Sequence, residues 1–365
     1  MKLLAVISSL ECGGSERVLS TLLNFFVEEK GLDIVLVTFL PGTDFYKIHP
    51  GIKRVSLNVA KSSKNVLEAV LNNIYLVKKL RQVISQEEPE VMISFMDRTN
   101  ILCILASIFK DVPLLISERN SPERKGIGSY WRLLRKILYP FSDCLIVQNA
   151  SIAEWFKRKI CKARLKVIPN PAPAIIEPHC DRQSYSFIKI LAVGSNLSYQ
   201  KGFDLLLAAY DPIAKKYPHC KLVIAGEGEN RLQLEEFIKD NSLEKNVDLP
   251  GRIQDIYSEL KSADIFVLSS RYEGSPNALI EAMAAGCACV AFDCQYGPRD
   301  LIQHSKNGLL VSVGNVAGLT EAIDYLILHP QIAQAMGKAA VHSVQTRFHV
   351  SQVAEQWLET IEDIV

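Results

Sequence analysis

The feature that most constrains this chain is an alternation of short apolar runs with amphipathic stretches, repeated on both sides of one proline-dense segment. In the first half the runs fall near Leu3–Ser8, Ile34–Phe39, Val91–Ser94, Leu114–Ser117 and Cys144–Gln148. In the second they fall near Ile188–Val193, Leu222–Ala225, Ile265–Ser269 and Cys289–Phe292. A short run without polar alternation reads as a strand buried on both faces. The intervening stretches carry a helical period, as in Val18, Leu19, Leu22, Leu23 and Phe26. Strands of this kind separated by helices form doubly wound parallel sheets. Between Ile168 and Pro178 stand four prolines in eleven residues, which fit neither a helix nor a sheet interior. The expected fold is α/β, with two Rossmann-like doubly wound domains, 1–169 and 170–348, facing across a cleft. A last helix over about 349–365, with Val353, Trp357, Leu358 and Ile361 on one face, is expected to pack back on the first domain.

A length of 365 residues suits two such domains. The nine cysteines are odd in number, show no C-x-x-C pair and read as free thiols of a reducing compartment. The longest largely apolar run, Ile101 to Phe109, is about half of the ~20 residues that a membrane span needs. The net charge of +1 hides an asymmetry. Residues 1–169 hold 25 Lys and Arg against 16 Asp and Glu, and the remainder holds 16 against 24. A basic half points to an anionic substrate or surface. No nucleic-acid motif accompanies it, so no nucleic-acid partner is expected.

Three turns carry the chemistry. After the first strand, Gly13 and Gly14 open a helix whose N-terminal amides suit an anion. The spacing is not the dinucleotide fingerprint, which weighs against a nicotinamide cofactor. In the second half, Val193-Gly-Ser-Asn-Leu-Ser-Tyr-Gln-Lys-Gly202 places Lys201 just ahead of a helix, where an ammonium can counter charge on a leaving diphosphate. In Ser270-Arg-Tyr-Glu-Gly-Ser-Pro-Asn-Ala-Leu-Ile-Glu-Ala-Met283, a strand ends and Pro276 starts a helix. That helix aims the amides of Asn277 and Ala278 outward, and Glu281 follows at i+4 from Asn277.

The spacing Glu273-x7-Glu281 inside E-G-S-P-N-A-L-I-E-A-M, behind A-D-I-F-V-L-S-S, resembles the motif of glycosyltransferase family 4. The Gly13-Gly14 loop, V-G-x6-K-G, I-A-G-E-G-E-N-R-L at 224–232, Leu249-Pro250-Gly251 and Asn307 to Val311 match in order. The likeness therefore covers nearly the whole chain. It is greatest to bacterial N-acetylgalactosaminyl transferases that extend undecaprenyl-diphosphate-linked glycans. The resemblance implies the GT-B fold and retaining transfer of a hexose or N-acetylhexosamine, N-acetylgalactosamine first, from a UDP-sugar to a lipid-linked glycan. It implies that Lys201, Glu273 and Arg119 are catalytic. It also implies that Gly13, Gly14, Ser195, Arg252, Ile253, Ser275, Pro276, Asn277, Ala278, Leu279 and Glu281 bind the donor. Two positions depart from the pattern: serine stands at 195 where arginine is common, with Arg299 as a substitute cation, and Arg119 lies where many members have histidine. Arginine does not act as a base at neutral pH. Front-face transfer, with the leaving phosphate taking the proton, needs cations and amides more than a base. No cofactor or metal is expected, since the sequence contains no D-x-D pair. The other readings are a non-catalytic glycan-binding homologue and a GT-B sugar-nucleotide epimerase.

The acceptor and an anionic membrane surface are expected to meet Lys78, Lys79 and Arg81, and the segment holding Arg124, Lys125, Trp131, Arg132, Arg135 and Lys136. Cations interleaved with aromatics and leucines compose an interfacial helix. The protein is thus expected to be cytoplasmic and peripheral on the inner face of the cell membrane.

Overall fold

The computed structural model describes residues 1–41, 44–59, 65–122, 128–160, 164–172 and 188–365. The chain divides into two compact units, Met1–Pro171 with Val350–Val365, and Ala172–His349.

The first unit holds strands β1 (Lys2–Ile7), β2 (Asp33–Thr38), β3 (Lys53–Ser56), β4 (Val91–Phe95), β5 (Leu114–Ser117), β6 (Cys144–Val147) and β7 (Leu165–Val167). They pair in parallel in the order β3-β2-β1-β4-β5-β6-β7. The central strands β1, β4, β5 and β6 are apolar on both faces because helices cover both. Those helices are α1 (Gly14–Lys30), α2 (Val66–Glu87), α3 (Asp97–Ser107), α4 (Ser129–Leu138) and α5 (Ala150–Lys159). Helix α1 stops at Gly31, whose left-handed backbone (φ 63°) returns amides to the carbonyls of Phe26 and Val27. Asn65 and Asn149 cap α2 and α5 by accepting the amides of Glu68 and Ile152. The C-terminal helix, Val350–Glu362, buries Val353, Trp357, Leu358 and Ile361 in the core of this same unit.

The second unit holds β8 (Ile188–Asn196), β9 (Cys220–Glu227), β10 (Val247–Gly251), β11 (Ile265–Leu268), β12 (Ala288–Phe292) and β13 (Leu309–Val311). They form a parallel sheet ordered β10-β9-β8-β11-β12-β13. Its helices are α6 (Phe203–Lys216), α7 (Arg231–Asp240), α8 (Ile256–Ser262), α9 (Asn277–Ala284), α10 (Pro298–Leu301), α11 (Val316–Leu328) and α12 (Pro330–Arg347); Val350–Glu362 is α13. Separate apolar clusters fill the two faces of this sheet.

Strand order reverses at β1/β4 in one unit and at β8/β11 in the other. A doubly wound sheet leaves a crevice at such a point, beyond the carboxyl ends of its strands. Edge strands β3, β7 and β10 escape a reading by apolar runs, because an edge exposes one side and alternates or turns polar.

Candidate active site

At the β8/β11 reversal, the turn after β8 and the turn after β11 are laced together. Lys201 closes a single 3-10 turn, Tyr199–Lys201, and its Nζ lies 2.8 Å from Oε1 of Glu273. The Ser270 hydroxyl donates to the same Oε1 at 2.7 Å, and the Ser269 hydroxyl donates to the Lys201 carbonyl at 2.9 Å. Gly202 follows with φ 63°, and a Cβ there would stand 2.1 Å from the Ser269 carbonyl oxygen. Only glycine lets the two turns approach so closely. Outside this pair, Arg271 grips Asp204 through two hydrogen bonds, 2.8 and 2.6 Å, and lies over the Tyr199 ring. That guanidinium holds the Asp204 carboxyl below its usual range.

Helix α9 starts one residue later than the sequence suggests, with Pro276 as its cap rather than its first residue. Proline offers no N–H, so nothing is lost by placing it there. The amides of Leu279 and Ile280 are already bonded to the Pro276 carbonyl. Leu279 is therefore a core residue whose amide is spent within the helix, and the expectation that it binds donor is corrected. The carboxylate of Glu281 sits on the same helix, 3% exposed, where a charge persists only if it is partnered.

In the first unit, Gly13 caps α1 and Gly14 begins it. The Glu16 carboxylate folds back so closely that a Cβ on Gly13 would lie 2.1 Å from its Oε2. Burial raises the pKa of this carboxyl, and a backbone hydrogen bond opposes the rise. The chain's own anion thus occupies the start of α1. Beside it, Met96 ends β4 in a left-handed conformation (φ 80°), and its sulfur lies 3.0 Å from the Ser15 hydroxyl. A non-glycine residue held there stores local strain of the kind found at functional sites.

Beyond β5 lie two buried ionisable groups. Burial pushes Glu118 up to about 7, with Asp97 adding to the rise; the Tyr139 hydroxyl donates to its Oε2 at 2.8 Å. Asn100 supports that tyrosine and accepts the Ser94 hydroxyl. Arg119 lies over the rings of Phe95 and Trp357 and donates to Asn170. Burial lowers its pKa to about 9, which leaves it charged at neutral pH.

The description "Glycosyltransferase Family 4" matches residues 12–173, and "Glycosyl transferases group 1" matches residues 185–342. Along its full length the chain is 30% identical to a Campylobacter jejuni enzyme, GalNAc-alpha-(1->4)-GalNAc-alpha-(1->3)-diNAcBac-PP-undecaprenol alpha-1,4-N-acetyl-D-galactosaminyltransferase, of which 99% is covered. The chain belongs to glycosyltransferase family 4. Sucrose-phosphate synthase from Thermosynechococcus elongatus superposes with a TM-score of 0.87 at 17% identity, covering 99% of this chain and 98% of that one. Anabaena HepE in complex with UDP-glucose gives 0.80 at 19%, covering all of both chains. The two parallel α/β units are those of the GT-B fold.

In this family 4 enzyme the structure gathers Lys201, Glu273, Ser275, Pro276, Asn277, Ala278 and Glu281 around the β11–α9 turn. Arg252 is exposed and Ile253 half-buried just beyond β10. The side chain of Ser195, with Arg124 and Lys125, lies outside the described residues. Arg299 is not a free substitute cation: it is held in a double hydrogen bond to Asp293 at 2.8 and 2.6 Å. Arg119 is buried against two rings and donates to Asn170. Of the basic residues assigned to acceptor and membrane, Lys78, Arg132 and Lys136 are exposed, and Lys79 half-exposed. Arg81 instead donates to the carbonyls of Leu105, Ala106 and Ile108, capping the end of α3. Arg135 is buried against Trp155 and Phe156 and donates to the Pro122 carbonyl. Trp131 is half-buried beneath Arg98. A mixed basic–apolar stretch does not disclose which cations turn inward; Arg81 and Arg135 do, serving carbonyls and rings. Sequence reading also missed Ser270, Glu16 and Asn170, because neither a lone serine, a helix-start acid nor a linker asparagine carries a motif.

Proposed function

We propose that this glycosyltransferase moves a hexose or N-acetylhexosamine, N-acetylgalactosamine first, from a UDP-sugar to a lipid-linked glycan with retention of anomeric configuration. The observation that carries this reading is the Lys201–Glu273 pair at the head of α9, with Glu281 buried one turn further on. The ammonium stands where charge grows on a departing diphosphate, and the first turn of a helix adds amides with no carbonyl four residues back. Stabilisation aimed at the charge that develops in the transition state is the largest single contribution in many enzymes. Glu273 orients Lys201 and faces the donor sugar once a diphosphate takes the ammonium. Glu281 accepts hydrogen bonds from the ribose hydroxyls. Gly13 and Gly14 form an anion-binding helix start that the Glu16 carboxylate covers.

The lipid-linked acceptor is supported by the Campylobacter jejuni relative, whose printed substrate is an undecaprenol-linked glycan. It is supported also by Lys78, Arg132 and Lys136, exposed, and Lys79, half-exposed, on helices α2 and α4 of the first unit. Among the described residues no helix is long and apolar enough to cross a membrane. A peripheral station on the inner face of the cell membrane fits this acceptor. With Lys201 and helix-end amides supplying the positive charge, turnover should persist in excess chelator; a strict Mn²⁺ requirement would overturn the mechanism. The deciding experiment is a panel of UDP- and GDP-sugars offered with undecaprenyl-diphosphate-linked glycan and read by mass spectrometry. The expected product is acceptor plus N-acetylhexosamine or hexose from a UDP donor; transfer from GDP-sugars alone, or epimerised donor without transfer, refutes it.

A further inference from the structure

Past the carboxyl ends of β5 and β6, polar atoms gather on one buried face of the first unit's sheet. The two strands run parallel with Ser117 opposite Ile146, and the Glu118 amide donates to the Ile146 carbonyl at 3.0 Å. Side chains alternate along a strand, so Ser117 and Arg119 share the face of Ile146 and Gln148. That face is the one α13 covers, since Ile146 packs in the same core as Phe95 and Trp357. Arg119 accordingly lies over Phe95 and Trp357, while Glu118 turns to the other face and accepts from Tyr139. On the α13 side, Ser117 Oγ, Arg119 Nε and Nη2, both amide atoms of Gln148 and Trp357 Nε1 are buried without a hydrogen-bond partner among the described residues. Ser117 and Trp357 are fully buried, Gln148 is 4% exposed and Arg119 7%. Buried polar atoms are nearly always paired, so such a concentration on one face calls for a polar ligand.

The edge of Arg119 left over indicates the ligand's chemistry. Its Nη1 donates to Asn170 Oδ1 at 2.5 Å, which leaves Nε and Nη2, the side-on edge of the guanidinium with two parallel N–H bonds. Two parallel donors match the two oxygens of a carboxylate. No acid offsets the charge: burial is the sole cause of the lowered Arg119 pKa, with no carboxylate pulling the other way. Water can satisfy the N–H bonds but not the charge, and a buried charge is costly unless it is paired. A phosphate, carrying nearly two negative charges, exceeds what one guanidinium offsets. We infer that Arg119 and Gln148 form a carboxylate-binding site in the first unit. The Arg119 fork takes the two oxygens, and Ser117, Gln148 and Trp357 meet the group that bears them. The carboxylate comes from a small resident anion or from the acid group of a sugar. The site lies beyond the transferase reading and requires none of it.

The test is saturation-transfer NMR of acetate and of glucuronate against the full chain, at constant ionic strength. Acetate should take saturation from the protein and lose it to added formate but not to added chloride. Arg119→Lys keeps the charge and removes the fork, so affinity should fall about tenfold or more. Gln148→Leu, similar in volume, should also weaken binding while the thermal melt is retained, and it serves where Arg119→Lys does not fold. Glucuronate bound where glucose is not marks a carboxylate carried by a sugar; acetate bound without glucuronate marks a resident anion. Either result supports the site. No transfer to acetate or glucuronate, equal transfer in a folded Arg119→Lys, or loss to chloride as readily as to formate would each overturn it, leaving ordered water as what these atoms meet. Sugar transfer forms no part of the readout, so the transferase reading stands or falls separately.

Discussion

The ammonium of Lys201 lies 2.8 Å from Oε1 of Glu273, an oxygen that also accepts the Ser270 hydroxyl. One carboxylate oxygen thus holds a cation and a hydroxyl from two turns whose close approach Gly202 permits. Lys201→Ala should lower kcat about 10²–10³-fold, by analogy with removal of one oxyanion donor. Lys201→Arg should recover only part of it, because a planar fork does not replace a point charge. Steady-state kinetics with the preferred UDP-sugar checks both.

Glu281 is a buried carboxylate on a helix of otherwise apolar inward residues. Glu281→Ala should raise the donor KM, or the Kd for UDP, roughly ten- to hundredfold, the range for lost hydrogen bonds to a charged group. Titration calorimetry with UDP reads this without turnover.

Glu118 gives stability a defined pH dependence. Burial keeps it protonated up to about 7, whereas an unfolded chain releases that proton near 4.5. Between those values the folded state binds the extra proton, so this residue's contribution declines as pH rises through them. Glu118→Gln carries no titrating group. Its stability relative to wild type should therefore improve between pH 5 and pH 8, by up to about 3 kcal/mol. Urea unfolding at several pH values measures the trend, and a parallel pair of curves would refute it.

Arg81 donates to three carbonyls at the end of α3. Arg81→Ala should cost about 1–3 kcal/mol of stability and leave vesicle binding unchanged. Loss of vesicle binding in a fully stable variant would return Arg81 to the membrane surface.

The buried strands were legible because burial on both faces leaves a short apolar run; the longer run Ile101 to Phe109 belongs mostly to helix α3. The β11–α9 turn was legible through Glu273, Pro276 and Glu281, which carry a family motif. Edge strand β3, with Lys53 and Arg54, was not, since half-exposed strands need no apolar run. Nor were the roles of Arg81, Arg119 and Arg135. A guanidinium reads the same in sequence whether it meets solvent, a ring or a carbonyl, and tertiary packing alone decides. Leu67, Leu71 and Ile74, exposed along α2, read from sequence as a core face for the same reason: periodicity reports that a face exists, not what covers it.

The amide of Ala172 donates to the carbonyl of Phe348 at 2.6 Å, where the chain enters and leaves the second unit. A segment whose ends are stitched side by side behaves as an insert in its host rather than as a link in a row. Such a cassette can be exchanged by cutting at two adjacent peptides.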